Sequence, residues 1–585
     1  MKAKAFDSKA FNRVLKYSKP YKIRFYSVIL FAVFLSVFAA IRPLILQGTV
    51  DTYIKPKDNY GLLLYVTLMG ITLILEVVFQ FFFVFWANWL GQDIVKDIRI
   101  KLFKQMLSFK MSYFDHAPVG QLVTRSVSDI EQIARIFSQG LFMIASDFMK
   151  MGVCLVIMFF MNWQLSLIVI VAMPILVFFT RIFQRKMQLA FEEVRLQIAN
   201  MNTFVQERVT GMKIVQLFNR ENIEYEKFKS INEKHRKAWV KTILYNSIFF
   251  PIADIISSLT LGIIVLYGGF QIISGNPFTT LGQMTAYTMF IGMLFNPLRQ
   301  IADKFNEMQL GMIAANRVFD ILDTQDQIQD TGTIEAPVFE GNIQFKNVRF
   351  GYIPNQEVIK GIDLSVSAGK TIAIVGATGA GKSTIINLMN RFYEINSGTI
   401  CIDNQNIENY TLTSLRRQIG VVLQDVFLFA DTIFNNITLN NPLISRDEVV
   451  AAAQKIGVHD FIMSLPDNYD FDVKERGIML SSGQRQLIAF LRAFISNPSI
   501  LILDEATSSI DTYSEELIQQ ATETITKGRT SILIAHRLAT IIKADKIVVM
   551  DKGLIVEQGT HQELIDLDNG YYKKLYDSQF AVEIS

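Results

Sequence analysis

Charge is scarce in this sequence: only 19% of its 585 residues are Asp, Glu, Lys or Arg, and 57 basic against 54 acidic groups leave a formal net charge of +3. So small an imbalance gives no reason to expect a nucleic-acid partner, and the composition is far from that of a disordered chain. Cysteine is scarcer still. Cys154 and Cys401 stand alone in opposite halves of the chain, which excludes a disulfide or zinc framework and leaves two buried thiols. A cleavable leader is not expected either, because Met1 to Arg24 is polar and basic and the apolar run after it lacks a small-residue cleavage site.

What is abundant is apolar surface: half the residues are hydrophobic and 46 are Phe. A chain this long exceeds one core, so two or more domains are expected. Six stretches approach the ~20 apolar residues that a bilayer-spanning helix needs: Ser27 to Leu46, Leu62 to Leu90, Leu141 to Met161, Leu165 to Phe183, Ile243 to Ile273 and Leu281 to Leu298. Lys and Arg fall unevenly around them. Eight precede the first span, seven lie between Gly91 and Ile136 and thirteen between Arg181 and Lys241, against Lys55 and Lys57 alone after the first span. Basic residues stay in the cytoplasm, so a multi-pass protein of the cell membrane is expected, with the N-terminus, both long connections and the C-terminal half inside. The helical pattern of those connections extends the spans well beyond the bilayer as rods joined by short turns.

Composition changes after Asp323. The segment from Thr324 to Pro337 is polar with Gly and Pro, and short apolar runs then alternate with helical patterns. The expected division is a transmembrane domain over 1–325, a linker over 326–340 and a second domain over 341–585. In the second, a buried strand at Thr371 to Val375 runs into Gly376, Ala377, Thr378, Gly379, Ala380, Gly381, Lys382 and Ser383, followed by Thr384 and a helix. This is G-x-x-x-x-G-K-[ST] in its strand-to-helix context, where glycines let backbone N–H groups converge on phosphate. Lys382 neutralises outer phosphates and Ser383 offers a hydroxyl to Mg²⁺. A second strand, Ile500 to Leu503, ends in Asp504 and Glu505. Asp504 is placed to hold Mg²⁺ and Glu505 to orient the attacking water, although two acids after a strand also suit a turn or a helix cap.

Leu480-Ser481-Ser482-Gly483-Gln484, shortly before that strand, resembles the L-S-x-G-Q signature of the ATP-binding cassette family. Gln424, the segment Ser508 to Asp511 and His536 follow the family's order, and Tyr352 matches its adenine-stacking aromatic residue. The resemblance implies an α/β P-loop cassette behind a six-helix all-α transmembrane domain, with ATP and Mg²⁺ as cofactors. It also implies two cassettes dimerised head to tail with ATP between them. Ser481, Ser482, Gly483, Gln484 and Asp511 then serve the nucleotide across the interface. Gln424 senses metal and water, and His536 contacts the terminal phosphate.

The membrane half resembles the exporters of that family. Phe114 to Gly120 with Thr124, Arg125 and Asp129 is similar to their first coupling turn and Thr210 to Phe218 to the second, both expected near Gln424; Glu475-Arg476-Gly477 matches the segment that meets them. The implied activity is ATP-driven export or flipping of a hydrophobic or amphipathic molecule, with a nucleotide-gated channel or sensory regulator on the same frame as the alternative. Charges within a bilayer usually face a cavity or a partner, so Arg42, Glu76, Asp147, Asp254 and Arg299 are candidate pocket residues or inter-helix ion pairs. Glu76 and Asp147 disfavour a phosphorylated lipid and favour a neutral or cationic amphipath. The partner is a second copy or a second half-transporter. Ser482, where the commonest signature has Gly, and the run Tyr571 to Gln579 resemble bacterial heterodimeric exporters and tilt the expectation toward the heterodimer.

Overall fold

The computed structural model describes residues 7–54, 57–275, 279–504, 512–535 and 538–577. It comprises two compact units, Met1–Leu107 with Val119–Gln325, and Ser108–Pro118 with Asp326–Ser585.

The first unit is helical. Helix α1 (Ser8–Lys16) is capped by the Asp7 carboxylate, which accepts from the N–H groups of Lys9 and Ala10. It buries Ala10 and Val14. Long helices follow: α2 (Lys22–Gly48) and α3 (Asn59–Leu107), then, beyond the short α4 (Met111–His116) described below, α5 (Phe142–Met161), α6 (Trp163–Thr210), α7 (Glu221–Ile273) and α8 (Leu281–Asp323). At ~1.5 Å per residue, α3, α6 and α7 are each roughly 70 to 80 Å long, more than twice the ~30 Å hydrocarbon core, as the rod pattern predicts. Five helices among the described residues are long and apolar enough to cross a membrane: Lys19–Ile54, Asn59–Leu107, Val119–Met161, Trp163–Thr210 and Glu221–Ile273.

The sixth expected span forms the first part of the 43-residue helix α8 but is not among those five. Gln283, Thr285, Thr288 and Asn296 dilute its hydropathy. Burial explains why it tolerates them: Ala286, Tyr287, Phe290, Ile291, Leu294 and Phe295 lie in the bundle core with Leu165, Val169 and Leu176 of α6. A helix enclosed by protein needs less apolar surface than one facing lipid. The Tyr287 hydroxyl meets the Met158 and Asn162 carbonyls at 2.7 and 2.8 Å and the Ser166 hydroxyl at 2.8 Å, so its burial leaves no orphaned polar group.

The ends are fastened by side chains. Asn162, the single residue between α5 and α6, caps α6 by accepting from Gln164 and Leu165 N–H. Thr280 and Gln283 form a capping box on α8. Asp51, at the far end of the first span, accepts from the Thr280 hydroxyl at 2.5 Å and from Gly282 N–H at 2.9 Å.

The second unit holds two sheets. An antiparallel one has the order β2 (Ile359–Val366), β1 (Ile343–Phe350), β4 (Ser397–Ile402), β5 (Gln405–Asn406). The other runs β10 (Leu554–Gly559), β9 (Lys546–Asp551), β3 (Thr371–Val375), β8 (Thr530–Ile534), β7 (Ile500–Asp504), β6 (Ile419–Val422), all parallel except β10. Its central strands read as continuous apolar runs because both faces are covered. On one face, helix α9 (Lys382–Met389) contributes Ile385, Ile386, Leu388 and Met389 to a core shared by both sheets. On the other, helix α10 (Ser482–Ile495) packs Leu487, Ile488 and Leu491 with Leu501 and Leu503 of β7.

Residues 108–118 join this unit through the backbone. Ile328 N–H donates to the Ser108 carbonyl at 2.8 Å and Lys110 N–H to the Asp326 carbonyl at 3.0 Å, and α4 follows.

Candidate nucleotide site

The site begins with β3, held between β8 and β9 in the middle of the parallel sheet. The chain leaves its carboxyl end at Gly376, where φ is 153° and an added Cβ would fall 2.2 Å from the Met550 carbonyl oxygen. Gly381, at φ 102°, turns the loop into α9. Only glycine meets both demands. Lys382 is buried and folds back into the loop, donating to the carbonyls of Gly376 at 2.6 Å and Ala377 at 3.1 Å. Burial lowers its pKa and the nearby Asp504 carboxylate partly offsets that.

Strand β7 brings Asp504 to the same carboxyl edge, one strand removed from β3, and the Ser383 hydroxyl donates to the Asp504 carboxylate at 3.3 Å. Two hard oxygen ligands therefore meet beside the loop, a donor set suited to Mg²⁺. Among the described residues no cluster of three or more His, Cys, Asp or Glu could hold a metal ion. Strand β6 pairs in parallel with β7, matching Val422 to Leu503, and delivers Gln424 beyond the same edge, exposed. Glu505, Asp511 and His536 lie outside the described residues.

Tyr352 follows β1. Its hydroxyl donates to the Thr384 hydroxyl at 3.3 Å and accepts from the Asn387 amide at 3.0 Å. Both partners lie on α9, so the ring is tethered to the helix that starts at the phosphate loop. In the signature, Ser481 caps α10: its hydroxyl accepts from Gln484 N–H at 3.2 Å, and Ser481 N–H donates to the Gln484 side-chain oxygen at 2.9 Å. A serine hydroxyl that accepts still has a proton to donate, so capping leaves Ser481 able to bind an anion. Ser481 and Ser482 are exposed and Gly483 is buried.

The two turns differ. Asp115 of the first accepts a hydrogen bond from the Tyr393 hydroxyl, within the second unit. The second, around Met212–Leu217, exposes Ile214, Leu217 and Phe218 at the tip of α6 and α7. Around Gln424, Leu423, Phe427 and Phe429 are exposed as well.

All five candidate charges of the membrane half have ionic partners. Arg42 of α2 lies 3.3 Å from Glu76 of α3, and Arg299 of α8 lies 2.6 Å from Asp254 of α7 while also donating to the Ala253 carbonyl. Asp147 of α5 pairs with Lys304 of α8, a residue beyond the expected span and absent from the sequence reading. The acids that favoured a cationic amphipath are thus each matched by a cation. Of the five, Asp254 lies on an open groove along one apolar face of α7, with Pro251, Ser258 and Gly262. Asn387 and Tyr393 were also missed. Asn387 stands one helical turn after Thr384, a spacing that could have revealed it, whereas Tyr393 carries no motif.

A membrane helix bundle fused to a P-loop cassette with its acid at the sheet edge defines an ATP-driven transporter. Comparison agrees over both halves. Residues 25–298 match the family of the ABC transporter transmembrane region and residues 359–508 the ABC transporter family. The chain is 37% identical over 495 residues to an ATP-dependent lipid A-core flippase of Syntrophus aciditrophicus (strain SB), covering 84% of this chain and 82% of that protein. It is 36% identical over 579 residues, 97% of this chain and 99% of the relative, to a protein of Staphylococcus aureus (strain NCTC 8325 / PS 47) provisionally named as a multidrug export ATP-binding/permease protein. A bacterial Atm1-family ABC exporter with ATP bound superposes with a TM-score of 0.76 at 29% identity, covering 96% of this chain and 98% of the other. The chain belongs to the ATP-binding cassette transporters and is of the exporter type, a multi-pass membrane ATPase whose hydrolysis drives export.

Proposed function

We propose that this chain is one half of a dimeric exporter of hydrophobic or amphipathic molecules in the cell membrane, with its cassette in the cytoplasm. The observation that carries the nucleotide chemistry is the meeting of Ser383 and Asp504 beside the glycine cradle. ATP enters with its phosphates against the N–H groups of Gly376 to Thr384, displacing the carbonyls from Lys382, and with adenine on Tyr352. Mg²⁺, held by Ser383, Asp504 and Gln424, would neutralise phosphate charge. Glu505 orients the attacking water, His536 holds the terminal phosphate, and Asp511 couples the two sites. Ser481, Ser482, Gly483 and Gln484 of each half close on the nucleotide of the other, because one cassette cannot supply both sides.

The exposed apolar tip at Ile214, Leu217 and Phe218 and the exposed Leu423, Phe427 and Phe429 beside Gln424 support a second chain as the missing partner. Substrates follow from the relatives and from the open apolar groove along α7, with no preference for cations now that Glu76 and Asp147 are paired. Ser482 favours a heterodimer. Affinity purification of the tagged chain tests this: a second, related half-transporter at equal stoichiometry is the expected result. A stable dimer of this chain alone, with full ATPase activity and two equivalent ATP sites, would show a homodimer, and a fully active monomer would overturn the dimeric reading.

A further inference from the structure

Tyr352 is gripped at both ends. Its hydroxyl is tied to Thr384 and Asn387 on α9, and its ring meets the ring of Tyr393 edge-on at 5.0 Å and 90°. Phe350 completes the corner, 4.9 Å from Tyr352 and 5.7 Å from Tyr393. A ring tied at its hydroxyl and packed edge-on against Tyr393 takes its tilt from those two contacts. Tyr393 extends the arrangement away from the nucleotide, because its hydroxyl donates to Asp115 on α4. Burial, aided by that carboxylate, pushes the Tyr393 phenol well above its usual pKa, so the hydroxyl remains a donor at any working pH. Between Lys110 and Ser112 of the turn and the rings of Phe350, Tyr352 and Tyr393 is a cavity of about 150 Å³. That space lets the rings tilt without a clash.

We propose that Tyr393 is a positioning residue for ATP: its ring sets the posture of Tyr352, and its hydroxyl, through Asp115, makes that posture depend on residues 108–118. The proposal rests on the reading of Tyr352 as the adenine platform. If the turn moves, Tyr393 tilts and Tyr352 pivots about its bonds to α9, changing the area offered to the base. Linkage makes the effect reciprocal, so base binding also favours one position of the turn.

The test uses the full-length transporter in lipid nanodiscs, with KM and kcat measured for ATP and, as a probe without a base, the inhibition constant of inorganic triphosphate. Edge-on aromatic pairs are worth about threefold to tenfold in an equilibrium. Tyr393→Ala is therefore expected to raise the KM for ATP by about that factor, with kcat at saturation and triphosphate inhibition unchanged. Tyr393→Phe keeps the ring, so its KM shift should be smaller, and Asp115→Ala should shift KM in the wild type but add nothing to Tyr393→Phe. Weakened triphosphate binding in Tyr393→Ala would mean a damaged phosphate loop and would overturn the proposal. So would additive effects of Asp115→Ala and Tyr393→Phe. Tyr352→Ala separates the two readings: a raised KM there with no response to either Tyr393 variant sinks the positioning role alone, and an unchanged KM sinks the platform with it.

Discussion

Lys382 in the nucleotide unit and Glu76 in the membrane unit are both nearly buried, at 7% and 9% exposure, yet their surroundings differ in kind. Lys382 is held by two loop carbonyls, neutral acceptors that a phosphate can displace. Glu76 is held by Arg42, a full opposite charge. At the phosphate loop the buried lysine rests on neutral groups that a charged ligand can displace, whereas in the bundle each acid stands against a cation. A charge in the first setting serves chemistry and a charge in the second serves assembly.

The contrast breaks first at Glu505. Replacing it by Gln should lower ATP turnover by about two to four orders of magnitude with ATP binding and thermal stability retained, leaving a closed dimer. Turnover near wild type would remove Glu505 from catalysis. In the membrane unit, Glu76→Ala leaves Arg42 unpaired and is expected to destabilise the protein by about 3 kcal/mol, whereas Arg42→Met with Glu76→Leu restores most of the loss. Thermal unfolding in detergent decides, and a double variant no better than the single one would assign the pair a role other than assembly. By the same reasoning Glu76→Gln should reduce export of cationic and neutral amphipaths alike. A selective loss for cations would return Glu76 to the substrate path.

Smaller effects sharpen the picture. Tyr352→Ala should weaken ATP binding by about tenfold with little change in maximal rate. Tyr352→Phe keeps the ring but loses the hydroxyl bound to Asn387 and Thr384, so it should cost about 0.5 to 1.5 kcal/mol in site organisation, read as a KM shift of similar size. Asn162→Ala, which removes the cap of α6 and a bond to Thr279, should cost about 1 kcal/mol of stability without altering the ATPase.

These outcomes track what the sequence could reveal. The β3–loop–α9 unit was legible because its glycines, lysine and serine act at fixed local spacing, and so was Asp504, whereas Ser481 was read as a nucleotide contact and not as the cap of α10 that it forms. The rods were legible because helical periodicity continues past each apolar run. Partners in three dimensions were not. Asp254 and Arg299 are 45 residues apart and Asp147 and Lys304 are 157 apart, on different helices. No local pattern pairs them. The sixth span was read as equal to the others, although its burial among α5, α6 and α7 lets it carry more polar residues. Nor does a motif announce that residues 108–118 pair with Asp326 to Ile328, since the bonds from Ile328 to Ser108 and from Lys110 to Asp326 run between backbone groups.

The central claim is that hydrolysis organised by this cassette drives molecules uphill across the membrane. The assembled transporter, purified with any half that accompanies it and sealed into liposomes with ATP on the cassette side, gives the direct test. Wild type should concentrate a fluorescent amphipath against its gradient while consuming ATP, and Glu505→Gln should bind ATP without doing so. Flux that only dissipates a gradient, or accumulation that persists in Glu505→Gln, would contradict the account.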